Sequence, residues 1–112
     1  MAKDTIEFSD WEKLDLRVGK ILEVEDIKDA DKLYKLIVDI GIEKRIICAG
    51  IKQYYSKKEL INKKIIVITN LASRKLRGIE SKGMLLAAGS KEENKCILIT
   101  PEKDISPGTK IS

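Results

Sequence analysis

Apolar residues in this chain recur at every second position, and nowhere do they keep helical spacing for more than a turn or two. Tyr34, Leu36, Val38 and Ile40 alternate with Lys35, Ile37 and Asp39. Across residues 16–26 the even positions Leu16, Val18, Leu22 and Val24 are apolar, with Lys20 the one exception. A period of two is the signature of a strand with one face buried. Gly19, beside the exception, marks a bulge or a sharp coil in this reading. Ile40-Gly41-Ile42-Glu43 then reverses the chain into a third strand, Arg45 to Ala49. The three strands form a meander.

Ser56-Lys57-Lys58-Glu59 has the spacing of a capping box and predicts a helix of one or two turns, ending near Asn62. Two strands of consecutive apolar residues follow, 65–69 (closing on Thr69) and 84–88, separated by a long loop. Cys96-Ile97-Leu98-Ile99 makes a late strand and Pro107-Gly108 a late turn. Three meander strands, a short helix and two more strands around a long loop is the order of an OB-fold. The expected fold is therefore all-β with a short helix: a five-stranded barrel with an N-terminal arm and an additional C-terminal strand. Barrel closure accounts for the consecutive apolar positions at 65 and 84, where one face fills the interior and the other is covered by something else. The 112 residues are read as one domain, 1–112. Its barrel spans about 15–89, flanked by extensions 1–14 and 90–112.

Composition removes several kinds of chemistry. The chain has no histidine, which eliminates Ser-His and Cys-His nucleophiles, imidazole acid–base catalysis and histidine metal sites. Cys48 and Cys96 lack CxxC spacing and read as reduced, buried thiols. No glycine loop of the Walker or dinucleotide type is present. The expectation is a non-catalytic protein without metal or cofactor. No segment reaches the roughly 18 apolar residues of a membrane span. The N-terminus lacks a secretory apolar core, so a cytoplasmic location is expected.

Charge is unevenly distributed. Residues 1–43 carry 7 Lys+Arg against 12 Asp+Glu, whereas residues 44–82 carry 11 against 2. The remaining 30 residues are balanced. A strongly basic middle third is expected of a chain that faces a polyanion. Its densest part is the long loop, with Arg74, Lys75 and Arg77.

Several segments together resemble a known family. They are Asp15-Leu16-Arg17-Val18-Gly19-Lys20-Ile21, Ala30-Asp31-Lys32-Leu33-Tyr34, Ala49-Gly50-Ile51 with Tyr54-Tyr55, and Asn70-Leu71. To these is added the run from Arg74-Lys75-Leu76-Arg77-Gly78-Ile79-Glu80-Ser81 through Gly83-Met84-Leu85-Leu86-Ala87-Ala88. The chain is similar over nearly its whole length to the tRNA-binding OB-fold module. That module occurs appended to methionyl-tRNA synthetases, as a separate β subunit, in free-standing bacterial tRNA-binding proteins and in the endothelial-monocyte-activating polypeptide. This chain has Ile27-Lys28 where the family often has His-Pro, Ser73 where it has proline and Ala49 where it has serine.

The resemblance implies tRNA as the partner, bound by overall structure rather than anticodon sequence. It also implies, as a further partner, the catalytic subunit of methionyl-tRNA synthetase. In an OB barrel the loop joining the last two strands borders the nucleic-acid groove. Arg74, Lys75 and Arg77 are thus the expected phosphate ligands. Ser81 offers a compact donor and acceptor, and Lys32, Lys44 and Arg45 would widen the positive face. Met84 reads as half core and half groove wall, and Asn70 either caps the loop or faces RNA. Glu80 is expected to pair with a neighbouring cation. With only five aromatic residues, and Tyr34 placed in the interior by its even position, shape and backbone recognition of folded RNA is favoured over base stacking. Free-standing family members are homodimers. A dimer is accordingly expected here through Phe8, Trp11, Ile97 and Ile99 at the two extensions. Because one relative assists protein export, a protein-interaction or export-chaperone module is the alternative. That alternative calls for an exposed apolar groove.

Overall fold

The computed structural model describes residues 2–112. A single helical turn, α1 (Phe8–Trp11), precedes the first strand, β1 (Leu16–Asp26). The meander continues with β2 (Tyr34–Asp39) and β3 (Lys44–Ala49), followed by the short helix α2 (Lys57–Leu60). Then come β4 (Lys64–Ile68), β5 (Arg74–Leu76), β6 (Ile79–Ser81), β7 (Met84–Leu85), β8 (Ala87–Ser90) and β9 (Lys95–Leu98).

The main sheet is antiparallel in the order β3-β2-β1-β4-β7. Its organising strand is β1, whose first half pairs with β4 and whose second half pairs with β2. A strand shared in this way must curl, and the curl brings β3 round against β6 and β7. The Lys82 amide donates to the Ile46 carbonyl at 2.9 Å across that seam. The result is the nearly closed five-stranded barrel expected of an OB-fold.

Ile21, Leu36, Val38, Ile47, Ile65 and Val67 fill the interior. Leu60 of α2 joins them and is fully buried, a contribution of about 2 kcal/mol for a side chain of this size. Helix α2 starts where the capping box predicts. Ser56 Oγ accepts from the Glu59 amide, and Glu59 accepts from the Ser56 amide. Tyr34 is interior, as its parity requires, and its hydroxyl donates to the Tyr55 carbonyl at 2.8 Å.

Inward parity in β1 does not hold along the whole strand. Leu16 and Val18 bury into a second cluster with Ile66, on the outside of the barrel, covered by Ile68, Leu86 and Ile111. Ile21, at an odd position, faces the main core. The register shifts between Ile21 and Glu23, after which Val24 packs on the core again. The bulge therefore falls at Leu22, not at Gly19. Gly19 answers a different demand: a Cβ there would sit 2.7 Å from Val38 Cγ1 and 3.1 Å from Val67 Cγ2. Glycine lets three strands approach at the tightest point of the curl.

Two further segments differ from the sequence reading. The loop between the apolar strands contains a hairpin, β5–β6, turning through Arg77 and Gly78 with φ of 51° and 82°. Two central residues with positive φ are the two-residue turn whose twist matches paired strands. The apolar run 84–88 is also not one strand. β7 pairs with β4, the chain breaks at Leu86, and β8 forms a separate hairpin with β9.

The C-terminal segment returns to its own barrel. Gly108 donates to the Val18 carbonyl at 2.7 Å, and Val18 donates to the Thr109 carbonyl at 2.9 Å. Ile111 donates to the Leu16 carbonyl at 2.9 Å. Lys64 Nζ fastens the approach with bonds to Asp104 Oδ1 at 2.7 Å and the Ile105 carbonyl at 2.6 Å. This pairing covers the edge of β1 that β2 leaves open.

Candidate nucleic-acid interface

The β5–β6 hairpin is a mount before it is a binding element. Leu76 and Ile79, on either side of its turn, pack against Ile27, Ala30, Leu33 and Cys48. At the hairpin base Ser81 is buried, and its hydroxyl accepts from the Cys48 amide at 2.9 Å and leans toward the Gly83 carbonyl at 3.4 Å. Burial also pushes the Cys48 thiol pKa up, which keeps it protonated. The hairpin is thus held at both ends. Its charged side chains project from that anchored backbone.

Arg74, Lys75 and Arg77 are exposed and make no ion pair among the described residues. Glu80 stands opposite Lys75 in the ladder, yet its carboxylate accepts from Ser73 Oγ at 3.2 Å and faces Lys82 Nζ at 3.7 Å. Three cations without an ion pair among the described residues remain available to an external anion.

The hairpin tip meets the 29–33 loop. Arg77 and Lys32 line one cleft of about 430 Å³, together with Asp29, Ala30, Asp31 and Leu33. Beside the hairpin base a depression of about 300 Å³ is lined by Lys44, Arg45, Lys82, Glu43, Ile46 and Glu80. Lys44 is exposed there without an ion pair among the described residues. Arg45 is different. Its guanidinium pairs with Glu43 Oε1 at 2.9 Å and donates to the Thr69 carbonyl.

The other expected contacts lie apart from the tip. Met84 is half-exposed on β7, opposite Ile68. The Asn70 side chain accepts from the Asp15 amide at 2.9 Å and donates to the Lys13 carbonyl at 2.6 Å. It ties the N-terminal arm to the end of β4. Lys82 was not singled out in sequence, since its role depends on the seam between β6 and β3. Leu76 and Ile79 flank Arg-Gly as two apolar residues, a spacing that gains meaning only from the 27–33 loop beneath them.

A cleft of about 350 Å³, sharing Arg45 with the depression at the hairpin base, includes Arg17, Asp15 and Gly108. Its cations are spent internally. Arg17 bonds Asp15 Oδ1 at 2.8 Å and the Gly108 carbonyl at 3.1 Å, and that guanidinium holds the Asp15 carboxyl below the ordinary carboxylate range. The apolar residues of the extensions remain uncovered in the single chain. Phe8, Trp11, Ile97 and Ile99 are all exposed, and Phe8, Trp11 and Leu14 line a shallow cleft with Ile111. Within β9 only Leu98 is buried.

Residues 16–110 match the family described as "Putative tRNA binding domain". A methionine–tRNA ligase from Pyrococcus horikoshii is 51% identical over 106 residues, covering 95% of this chain. The matched segment is 14% of that enzyme's length. Among solved structures, a MetRS-related protein from Pyrococcus horikoshii superposes with a TM-score of 0.90 at 34% identity, covering 98% of this chain and 100% of its own. The CsaA chaperone protein from Picrophilus torridus superposes at 0.87 with 38% identity, covering 96% of this chain and 100% of its own.

Proposed function

The chain belongs to the tRNA-binding domain family, and from that premise we propose that it holds folded tRNA through the β5–β6 hairpin. The observation that carries this reading is the trio Arg74, Lys75 and Arg77, unpaired among the described residues and presented from an anchored two-strand mount. Arginine donates two parallel hydrogen bonds to a phosphate, and a rigid presentation reduces the ordering cost of binding. Lys32 at the tip and Lys44 near the base extend the same positive track, and Met84 walls its inner side. Arg45, Asn70 and Ser81 act one step back. They hold the seam, the arm and the hairpin in register while the free cations touch RNA.

A surface built from cations reads the path of phosphates and not base edges. Recognition is accordingly structure-specific and largely independent of sequence. The module acts in the cytoplasm without catalysing a reaction, either free-standing or as the β subunit or C-terminal domain of a methionyl-tRNA synthetase, whose tRNA affinity it raises. Mobility-shift titration with folded tRNA tests this. Wild type should bind, and a double Arg74→Ala, Arg77→Ala variant with unchanged melting should lose most of its affinity. Equal binding by the two proteins overturns the assignment.

The likeness to a chaperone of the same fold, together with exposed Phe8, Trp11, Ile97 and Ile99, favours one second reading: a module that binds unfolded polypeptide. Suppression of aggregation of a denatured protein, unaffected by added tRNA, would support it. Those four side chains equally suit a two-fold homodimer, which we include in the primary reading. Burial of exposed aromatic and branched side chains is what drives such an association.

A further inference from the structure

One aromatic ring on the barrel has no internal role. Tyr34 and Tyr55 have their hydroxyls engaged, the latter accepting from the Leu98 amide at 3.1 Å. Phe8 and Trp11 lie on the arm. Tyr54 is 42% exposed, and its hydroxyl makes no hydrogen bond among the described residues. It borders an open cleft of about 360 Å³ whose other walls are Gly50, Gly89, Ser90, Lys91, Lys95 and Cys96. Tyr54 and two glycines share this open slot with two lysines. Lys91 forms no ion pair among the described residues, and Lys95 has only a long, exposed one to Glu93 at 3.9 Å. The neighbouring acidic groups Glu92 and Glu93 do not line the cleft.

The slot continues the basic track. A Cβ at Gly50 would stand 4.0 Å from both Leu33 Cδ2 and the Lys32 carbonyl. The Lys52 amide donates to that same carbonyl at 3.2 Å. Leu33 and Lys32 are walls of the cleft that Arg77 closes. The two clefts therefore adjoin across the β3–α2 connection.

We propose that Tyr54 stacks one unpaired nucleobase of the bound RNA while Lys91 and Lys95 take its flanking phosphates. The proposal rests on the RNA-binding reading above and adds a local grip on a single-stranded nucleotide to shape recognition. Any base has a π-face, so such a site leaves the module tolerant of sequence. A lining more apolar than polar, with Lys91 and Lys95 beside it, suits a base flanked by its phosphates.

Filter-binding of folded tRNA to the full chain tests it, with Tyr54→Ala, Tyr54→Phe, Lys91→Ala and Arg77→Ala compared at several salt concentrations. Tyr54→Ala should weaken binding by about 5- to 100-fold, the range for losing one base–aromatic stack, with an unchanged salt slope. Tyr54→Phe should bind like wild type, because it keeps the ring. Lys91→Ala should lower the salt slope by about one phosphate contact. Melting should not move for Tyr54→Phe, Lys91→Ala or Arg77→Ala, and should fall modestly for Tyr54→Ala, whose ring is partly buried, without unfolding at the assay temperature. Normal binding by Tyr54→Ala alongside weakened binding by Arg77→Ala overturns the stacking site and leaves the RNA reading intact. No binding of tRNA by wild type overturns both. If Tyr54→Ala spares tRNA but abolishes binding of an unfolded apolar polypeptide, the slot serves peptides and the proposal is overturned.

Discussion

Arg77 occupies a left-handed conformation that few residues other than glycine, asparagine or aspartate adopt. A side chain there costs about 1 kcal/mol of backbone strain relative to glycine. On the proposed reading, the strain is offset by a phosphate that the guanidinium reaches. Arg77→Ala should therefore weaken tRNA binding by about 1–3 kcal/mol, the range for charge-assisted hydrogen bonds, with little change in melting. Arg77→Gly should lose the same affinity while melting slightly higher. Binding isotherms beside thermal melts check both. Ser81 shows the opposite profile. Its hydroxyl satisfies the buried Cys48 amide, so Ser81→Ala should destabilise the fold by about 1–3 kcal/mol in denaturant titration. A stable Ser81→Ala with poor tRNA affinity would instead place the hydroxyl on RNA.

Helix α2 is short enough that its cap matters. Ser56→Ala removes the hydroxyl half of the capping box, leaving the residue 56 amide free to donate to Glu59, and should cost about 1 kcal/mol, read as a lower denaturation midpoint. The C-terminal segment makes a pH-dependent element. Lys64 holds the Asp104 carboxyl below its ordinary value of 3.8. A depressed carboxylate stabilises fully above that value and stops doing so as pH falls through its lower folded value. Amide shifts of Gly108 and Ile111, followed by NMR from neutral pH downward, should hold steady and then move only below about 3.8. Lys64→Ala should bring that movement closer to the ordinary value. The elements most legible in sequence were those with local chemistry: the alternation of β2, the Ser56–Glu59 box, the apolar β4. The bulge at Leu22 was not legible, because Leu22 is apolar like Ile21 and Val24 and the parity change depends on β1 serving two partners. The β5–β6 hairpin was hidden for a related reason. Arg-Gly is a weak turn signal, and Leu76 and Ile79 become informative only once the 27–33 loop lies beneath them. Ser81 was legible as a polar residue in the motif, but its burial follows from the barrel seam.

At the scale of the molecule, the acidic first third and basic middle third fold into one barrel, where Lys52 and Lys57 both pair with Asp26 while the hairpin cations keep no ion pair among the described residues. The exposed Phe8, Trp11, Ile97 and Ile99 lie on the extensions, outside the five-stranded barrel. A homodimer through these residues should appear in sedimentation equilibrium at micromolar concentration, and Trp11→Asp should dissociate it. A monomeric wild type would refute the dimer without touching RNA binding. The central claim is that uncompensated cations on a rigid hairpin hold folded tRNA by its phosphates. Its most direct test is the affinity of the intact protein for folded tRNA, measured against salt and beside an unstructured RNA of equal length. With roughly four phosphate contacts, affinity should fall on the order of 100-fold between about 50 and about 200 mM salt. Folded tRNA should remain the preferred ligand throughout. A flat response to salt, or a preference for the unstructured RNA, would contradict the account.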